Sequence, residues 1–162
     1  MWVAAGVLTL AVGGCGQGYQ NSWPYPRDVE TVYVEMFDTT SFRRGFEYDL
    51  TDAICKLIES RTPYKIVSDR SRADTVLSGN MGIGVSTLAT DPQTGRTLEN
   101  ESVVNVSVTW KNLKTGQLLI DNAVVYASSS YSRQLGQDVG YSVRRSVNEA
   151  AQKVVEQMQT PW

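Results

Sequence analysis

The sequence predicts an α+β fold, a two-layer sandwich in which a mixed sheet of four to five strands carries two helices packed on one face. Three observations carry that expectation. Residues 102–127 hold the strongest β-hairpin pattern of the chain; two stretches, from Phe46 to Ile58 and from Val139 to Met158, repeat apolar residues at intervals of three and four; and the elements follow in the order β-α-β-β-β-β-α.

In the hairpin, Val104, Val106, Val108 and Trp110 alternate with Asn105, Ser107, Thr109 and Lys111, the period of a strand with one buried and one wet face. The turn Asn112-Leu113-Lys114-Thr115-Gly116 supplies a glycine for the reversal. The returning arm, residues 118–127, is apolar and β-branched enough for a central strand. Upstream, Val32, Val34 and Met36 alternate with Thr31, Tyr33 and Glu35, giving a first strand over residues 29–37 and then a loop, 38–45. Phe46, Leu50, Ala53, Ile54, Leu57 and Ile58 form one helical face, which Pro63 closes off.

A short strand at 64–67 turns at Ser68-Asp69-Arg70, and Ala73-Asp74-Thr75-Val76-Leu77-Ser78-Gly79 opens a long strand towards Thr90. Gly82 and Gly84 within it mark a bulge or the close approach of a neighbour, because no helix start and no Gly-Lys-Ser/Thr follow to make a phosphate loop. Asp91-Pro92-Gln93-Thr94-Gly95 turns the chain back. In the last helix Val139, Val143, Val147, Ala150, Ala151, Val154, Val155 and Met158 form the apolar stripe. Its polar face mixes Lys153 with Glu149 and Glu156, the composition of a helix packed on a sheet rather than one lying on a membrane.

At 162 residues the chain fits one domain. A formal net charge of -2 gives no nucleic-acid footprint, and no nucleic acid is expected as a partner. The absence of histidine excludes a histidine-dependent triad or zinc site, and no cofactor is expected. Cys15 and Cys55 sit in contexts too different for a disulfide between them; Cys55, one step round from the first helix's apolar face, reads as a small packing residue.

Residues 2–12 form an apolar run too short to span a bilayer, with no Lys or Arg before it. Val12-Gly13-Gly14-Cys15 then resembles a bacterial lipobox, in which the signal peptide is cut before the cysteine and the thiol is acylated. The other reading, an N-terminal apolar strand or unstructured start, fits less well with the abrupt change of composition at Cys15. On this division residues 1–14 are a lipoprotein signal peptide, 15–28 a lipidated tether containing Trp23-Pro24-Tyr25-Pro26, and 29–162 the single α+β domain. Several acyl chains, palmitate among them, on Cys15 would hold the protein stably at a membrane.

The element order has a geometric consequence. With the first strand pointing up, the crossover rule points the strand after the first helix up as well. Arg43, Arg44, Arg96 and Arg133 then share one end of the domain. Guanidinium groups gathered there suit phosphates or carboxylates; the other reading is four separately solvated loop arginines.

Taken in order, Cys15-Gly16 and Tyr19, the strand Val32-Tyr33-Val34-Glu35-Met36-Phe37, Gly45-Phe46-Glu47 leading to Leu50-Thr51-Asp52-Ala53-Ile54, and Ala73-Asp74-Thr75-Val76-Leu77-Ser78-Gly79 resemble the LPS-assembly lipoprotein family (LptE). The resemblance runs over nearly all of the chain after Cys15, including the Thr115-Gly116 turn and the closing helix. It implies a non-enzymatic lipoprotein of the outer membrane, lipid-anchored on the periplasmic face through acyl chains on Cys15, with two helices on a four-stranded sheet. It further implies a plug that sits inside the large β-barrel LPS translocon (LptD-like), helps to assemble it and binds lipopolysaccharide. On that reading Arg96 and Arg133 are the candidate contacts to lipid phosphates, with Arg43 and Arg44 at the same end. A second type, periplasmic lipoproteins that activate or build other envelope machinery, such as penicillin-binding-protein activators or curli-secretion lipoproteins, shares an Ala-Asp-x-x-Leu-x-Gly-like strand. The Gly45-x-Glu47 helix start and the long meander to Tyr126 favour the first. Hydrolysis has little support: Glu47, Asp49 and Asp52 are explained as one helix's polar face and dipole partners, and no opposed carboxylate is apparent.

Overall fold

The computed structural model describes residues 24–159; Cys15 and residues 1–14, read above as a signal peptide, lie outside the described residues. The strands are β1 (Thr31–Val34), β2 (Asp38–Thr39), β3 (Lys65–Ile66), β4 (Thr75–Thr90), β5 (Thr97–Asn112) and β6 (Leu118–Tyr131), and the helices α1 (Phe46–Arg61) and α2 (Val139–Gln157). The sheet order is β3-β1-β4-β5-β6, with β2 on the same side of β4 as β1. β3 and β4 run parallel to β1, while β4, β5 and β6 form an antiparallel meander. Parallel neighbours need a crossover, and α1 supplies it between β2 and β3. Both helices cover one face, α1 beside α2 and α2 on β5 and β6, so the α+β two-layer sandwich is as expected.

Register explains the core. Leu77 lines up with Trp110 and Ile120, and Met81 with Val106 and Val125. These rows are buried under Leu50, Ile54 and Ile58 of α1 and Val143, Val147, Ala150 and Val154 of α2. At the end nearest the N-terminus, Tyr25 meets Tyr64 edge-on at 5.8 Å between centroids, and Tyr64 meets Trp110 at 5.6 Å. The last part of the segment read as a tether is thus built into the core, with Tyr25 buried.

Three features differ from the sequence reading. The first strand is broken: Phe37 turns into the core, its amide donates to Thr51 Oγ1 at 3.2 Å, and the chain re-pairs with β4 at Asp38–Thr39, where a loop was expected. The hairpin is longer, since Thr97 and Tyr131 still lie in strands. Polar Glu99, Glu101, Ser128 and Ser130 hide this in the sequence, but the antiparallel ladder needs only backbone groups. Finally, β6 is an edge strand rather than a central one. A bulge with Asn122 at φ 43° interrupts that edge, and the Lys153 ammonium donates to the Tyr126 carbonyl at 2.8 Å.

The motif from Ala73 to Gly79 is a structural clasp. Asp74 Oδ2 accepts the Glu30 and Thr31 amides at 3.0 and 2.9 Å, and its Oδ1 pairs with Lys114 Nζ at 2.5 Å. Thr75 Oγ1 donates to the Thr31 carbonyl at 3.2 Å. One carboxylate therefore ties the start of β1, the start of β4 and the β5–β6 turn together. The Lys114 ammonium first, then the two amides, hold the Asp74 carboxyl well below the usual carboxylate range, against the opposing pull of partial burial. Gly79 closes the motif because a Cβ there would sit 2.1 Å from the Ser107 carbonyl oxygen and 2.7 Å from Phe37 Cε1.

Two predictions follow from this packing. Asp74→Asn is expected to lose about 2 kcal/mol of stability at pH 7, the scale of charge-assisted hydrogen bonds to a buried group. Because the folded carboxyl is depressed, its contribution is present above the unfolded value of about 4 and disappears as pH falls through the folded value. Urea unfolding at pH 7 and pH 2 should show the gap between wild type and variant closing in acid; a constant gap would contradict the clasp. Gly79→Ala is expected to cost roughly 2–4 kcal/mol by overpacking. Gly84→Ala, whose Cβ would meet nothing nearer than 4.0 Å, should leave stability unchanged or raise it by about 0.5 kcal/mol. Paired thermal unfolding curves distinguish the two.

Candidate functional site

β4 and β5 run past the helices, and their distal ends form a projecting blade. The burial along β4 shows it: Thr75, Val76, Leu77 and Met81 are buried, while residues 84–88 are exposed. Val85, Leu88 and Leu98 are exposed apolar side chains on this blade, and Leu135 lies in the segment that follows β6.

The turn joining β4 to β5 is self-contained. Asp91 Oδ1 accepts the Gln93 amide at 2.8 Å, Oδ2 accepts the Thr94 hydroxyl at 2.7 Å, and Gly95 takes φ 68°. The Thr94 hydroxyl and then the Gln93 amide keep the Asp91 carboxyl below its ordinary range. That carboxylate is occupied by the turn, and Arg96, one residue past Gly95, is exposed. After β6, the Ser132 hydroxyl donates to the Leu98 carbonyl at 3.1 Å and the Ser132 amide to Gln137 Oε1 at 3.0 Å. This pins a single 3-10 turn, Arg133–Leu135, beside the end of β5 and holds Arg133 at the surface.

The four sequence-predicted arginines therefore occupy two levels. Arg96 and Arg133 flank the distal end of β5, whereas Arg43 and Arg44 lie in the loop that leaves β4 at Ile83, whose amide donates to Ser41 Oγ at 2.7 Å. The stretch 84–90 separates the levels by roughly 20 Å of strand. Among the described residues, none of the four guanidinium groups takes part in an ion pair. The sequence reading found the arginines but missed the exposed Val85, Leu88 and Leu98 between them, which alternation alone assigns to strands without saying that the helix layer stops short.

The other chemistry-bearing residues have structural partners. Glu47 is buried, and its Oε2 accepts the Gly45 amide at 2.8 Å, while Gly45 itself holds φ 103° at the start of α1. Asp49 faces Arg144 at 3.7 Å, and Asp52 pairs with Lys56 at 2.6 Å. Burial, and then the carboxylates of Asp52 and Glu59, push the Cys55 thiol up, away from the nucleophilic thiolate. A cleft of about 530 Å³ between the N-terminal segment and β3 is lined by Pro26, Arg27, Val29, Glu30, Pro63 and Lys65, with Glu30 as its carboxylate. The sheet face opposite the helices carries Ser78, Asn80, Ser107 and Thr109, a shallow uncharged strip bordered by Glu35 and Asp38. No helix among the described residues is long and apolar enough to cross a membrane.

The family model for LptE, described as lipopolysaccharide-assembly, matches residues 29–160. The chain belongs to the LptE family. It is an LPS-assembly lipoprotein by that membership, and the resemblance read from its strand and helix motifs holds. No curated protein matches its sequence. Among solved structures, an uncharacterized lipoprotein B from Nitrosomonas europaea shares 14% identity, with 81% of each chain covered and a TM-score of 0.59. The rare lipoprotein B of Shewanella oneidensis shares 16% identity over 80% of this chain and 93% of its own, with a TM-score of 0.52. A PelC dodecamer from Paraburkholderia phytofirmans shares 12% over 85% and 92%, with a TM-score of 0.53. At these identities the structural likeness establishes the fold.

Proposed function

We propose that this LptE-family chain is a non-enzymatic, lipid-anchored protein of the outer membrane's periplasmic face. Acyl chains on Cys15 attach it after removal of residues 1–14, and residues 29–162 are its working domain. It plugs and helps to assemble the β-barrel that transports lipopolysaccharide, an LptD-like partner, and it binds lipopolysaccharide itself. The observation that carries this reading is the distal blade: Arg96 and Arg133, both exposed and without an ion pair among the described residues, lie at its end, and Val85, Leu88 and Leu98 along it and Leu135 in the segment after β6 are exposed apolar side chains. Cations next to apolar surface match an anionic amphiphile, whose phosphates take the guanidinium forks and whose chains cover the apolar side chains. Arg43 and Arg44 offer further positive charge one level below. The uncharged strip of Ser78, Asn80, Ser107 and Thr109 suits contact with the polar interior of a large barrel.

The test is a binding measurement with purified lipopolysaccharide. Arg96→Ala combined with Arg133→Ala is expected to weaken binding roughly tenfold to a hundredfold, because each guanidinium contributes charge-assisted hydrogen bonds. Thermal unfolding should be unchanged, since both side chains are exposed. Undiminished affinity in the double variant would remove the distal blade from the binding site.

A further inference from the structure

Among the described residues, the sheet has open edges at β3, β6, the outer side of the two-residue β2 and the distal half of β4, and the first three are short or blunted. β3 is two residues long, and β6 carries the Asn122 bulge and the Lys153 ammonium on its Tyr126 carbonyl. The remaining edge is the distal half of β4. β1 pairs with β4 at Thr75–Leu77, β2 at Asn80 and Met81, the Thr40 amide donates to the Met81 carbonyl, and the Ile83 amide is taken by Ser41 Oγ. Beyond Ile83 the chain leaves for α1, and nothing among the described residues pairs with that side of β4. The Ile83 amide points to this side, so by strand alternation the N–H and C=O of Val85 and Thr87 do as well.

This open edge contains no charge and no proline from Gly84 to Thr90, and its pairing with β5 is regular through Thr87, with a bulge at Leu88 ending the flat stretch. It thus lacks the side-chain devices that discourage strand addition. Gly84 leaves its surface flat: a Cβ there would have ordinary room, so packing within the domain does not require the glycine. Phe42, next in the chain after Ser41, is fully exposed at the lower end of the edge, followed by Arg43 and Arg44. Unpaired main-chain groups at alternate residues specify a peptide backbone as occupant, exposed Phe42 and Val85 offer apolar contacts, and the arginine pair favours an acidic residue at one end.

We propose that residues 84–87 of β4 receive an extended protein segment, added to the sheet as a further strand. Resting on the plug reading, the donor is an extended segment with an acidic residue at one end and otherwise uncharged, belonging to the barrel protein with which this lipoprotein assembles. Two outward backbone pairs, at Val85 and Thr87, anchor it.

The experiment uses the full-length tagged lipoprotein, isolated with its barrel from detergent-solubilised envelopes of its own host. Hydrogen exchange at the Val85 and Thr87 amides is compared between the complex and the free protein, and the barrel recovered with Thr87→Pro is compared with wild type. Proline at an outward-facing edge position removes one donor and blocks strand addition while leaving the β4–β5 ladder its bonds. The inference expects both amides to be protected in the complex, and barrel recovery with Thr87→Pro to fall roughly tenfold at unchanged helix and strand content. A barrel that co-isolates with wild type while Val85 and Thr87 exchange as in the free protein overturns the edge proposal and leaves the plug reading standing. A wild-type protein that brings down no barrel overturns both.

Discussion

Asp74 is the constraint on which the rest of the architecture depends. Its side chain is only 13% exposed and it joins three segments that are far apart in sequence: the start of β1 through the Glu30 and Thr31 amides, its own strand β4, and the β5–β6 turn through Lys114. With those ends fixed, the parallel register of β1 and β4 is set. The meander must then extend away from the clasp. Gly79 and Phe37 add a second level of the same constraint, since the ring occupies the space that a Cβ would need.

The consequence is a domain with two different ends. Near the clasp, Tyr25, Tyr64 and Trp110 pack under the helices, and the N-terminal segment is held against the core. At the far end the helix layer stops short, and Val85, Leu88 and Leu98 are exposed there. Along one strand, β4, the first residues thus belong to the core and residues 84–88 are exposed.

Much of this was legible in the sequence because burial imposes periodicity. Val104, Val106, Val108 and Trp110 are all buried, as their alternation requires, and the α2 stripe from Val143 to Met158 packs as its spacing demands. The long strand was visible because Ala73 to Gly79 is an unusual run, and its Asp74 and Thr75 form the clasp. What was not legible has a common cause. The splitting of the first strand at Phe37, the extension of β6 through Ser128 to Tyr131, and the edge position of β6 depend on partners distant in sequence. A residue pattern records which face is buried, not which neighbour buries it or where a covering helix ends. For the same reason the sequence pointed to Arg96 and Arg133 but not to the exposed Val85 and Leu98 of the same blade.

The central claim is that the domain works inside an assembly with a large outer-membrane β-barrel, and the composition of that assembly tests it most directly. The measurement is the mass and stoichiometry of the complex recovered through a tag on the full-length lipoprotein from solubilised host envelopes. The account predicts a one-to-one complex with a large β-barrel protein. Recovery of a peptidoglycan synthase or a secretion pore in place of the barrel, or of the lipoprotein alone, would contradict it.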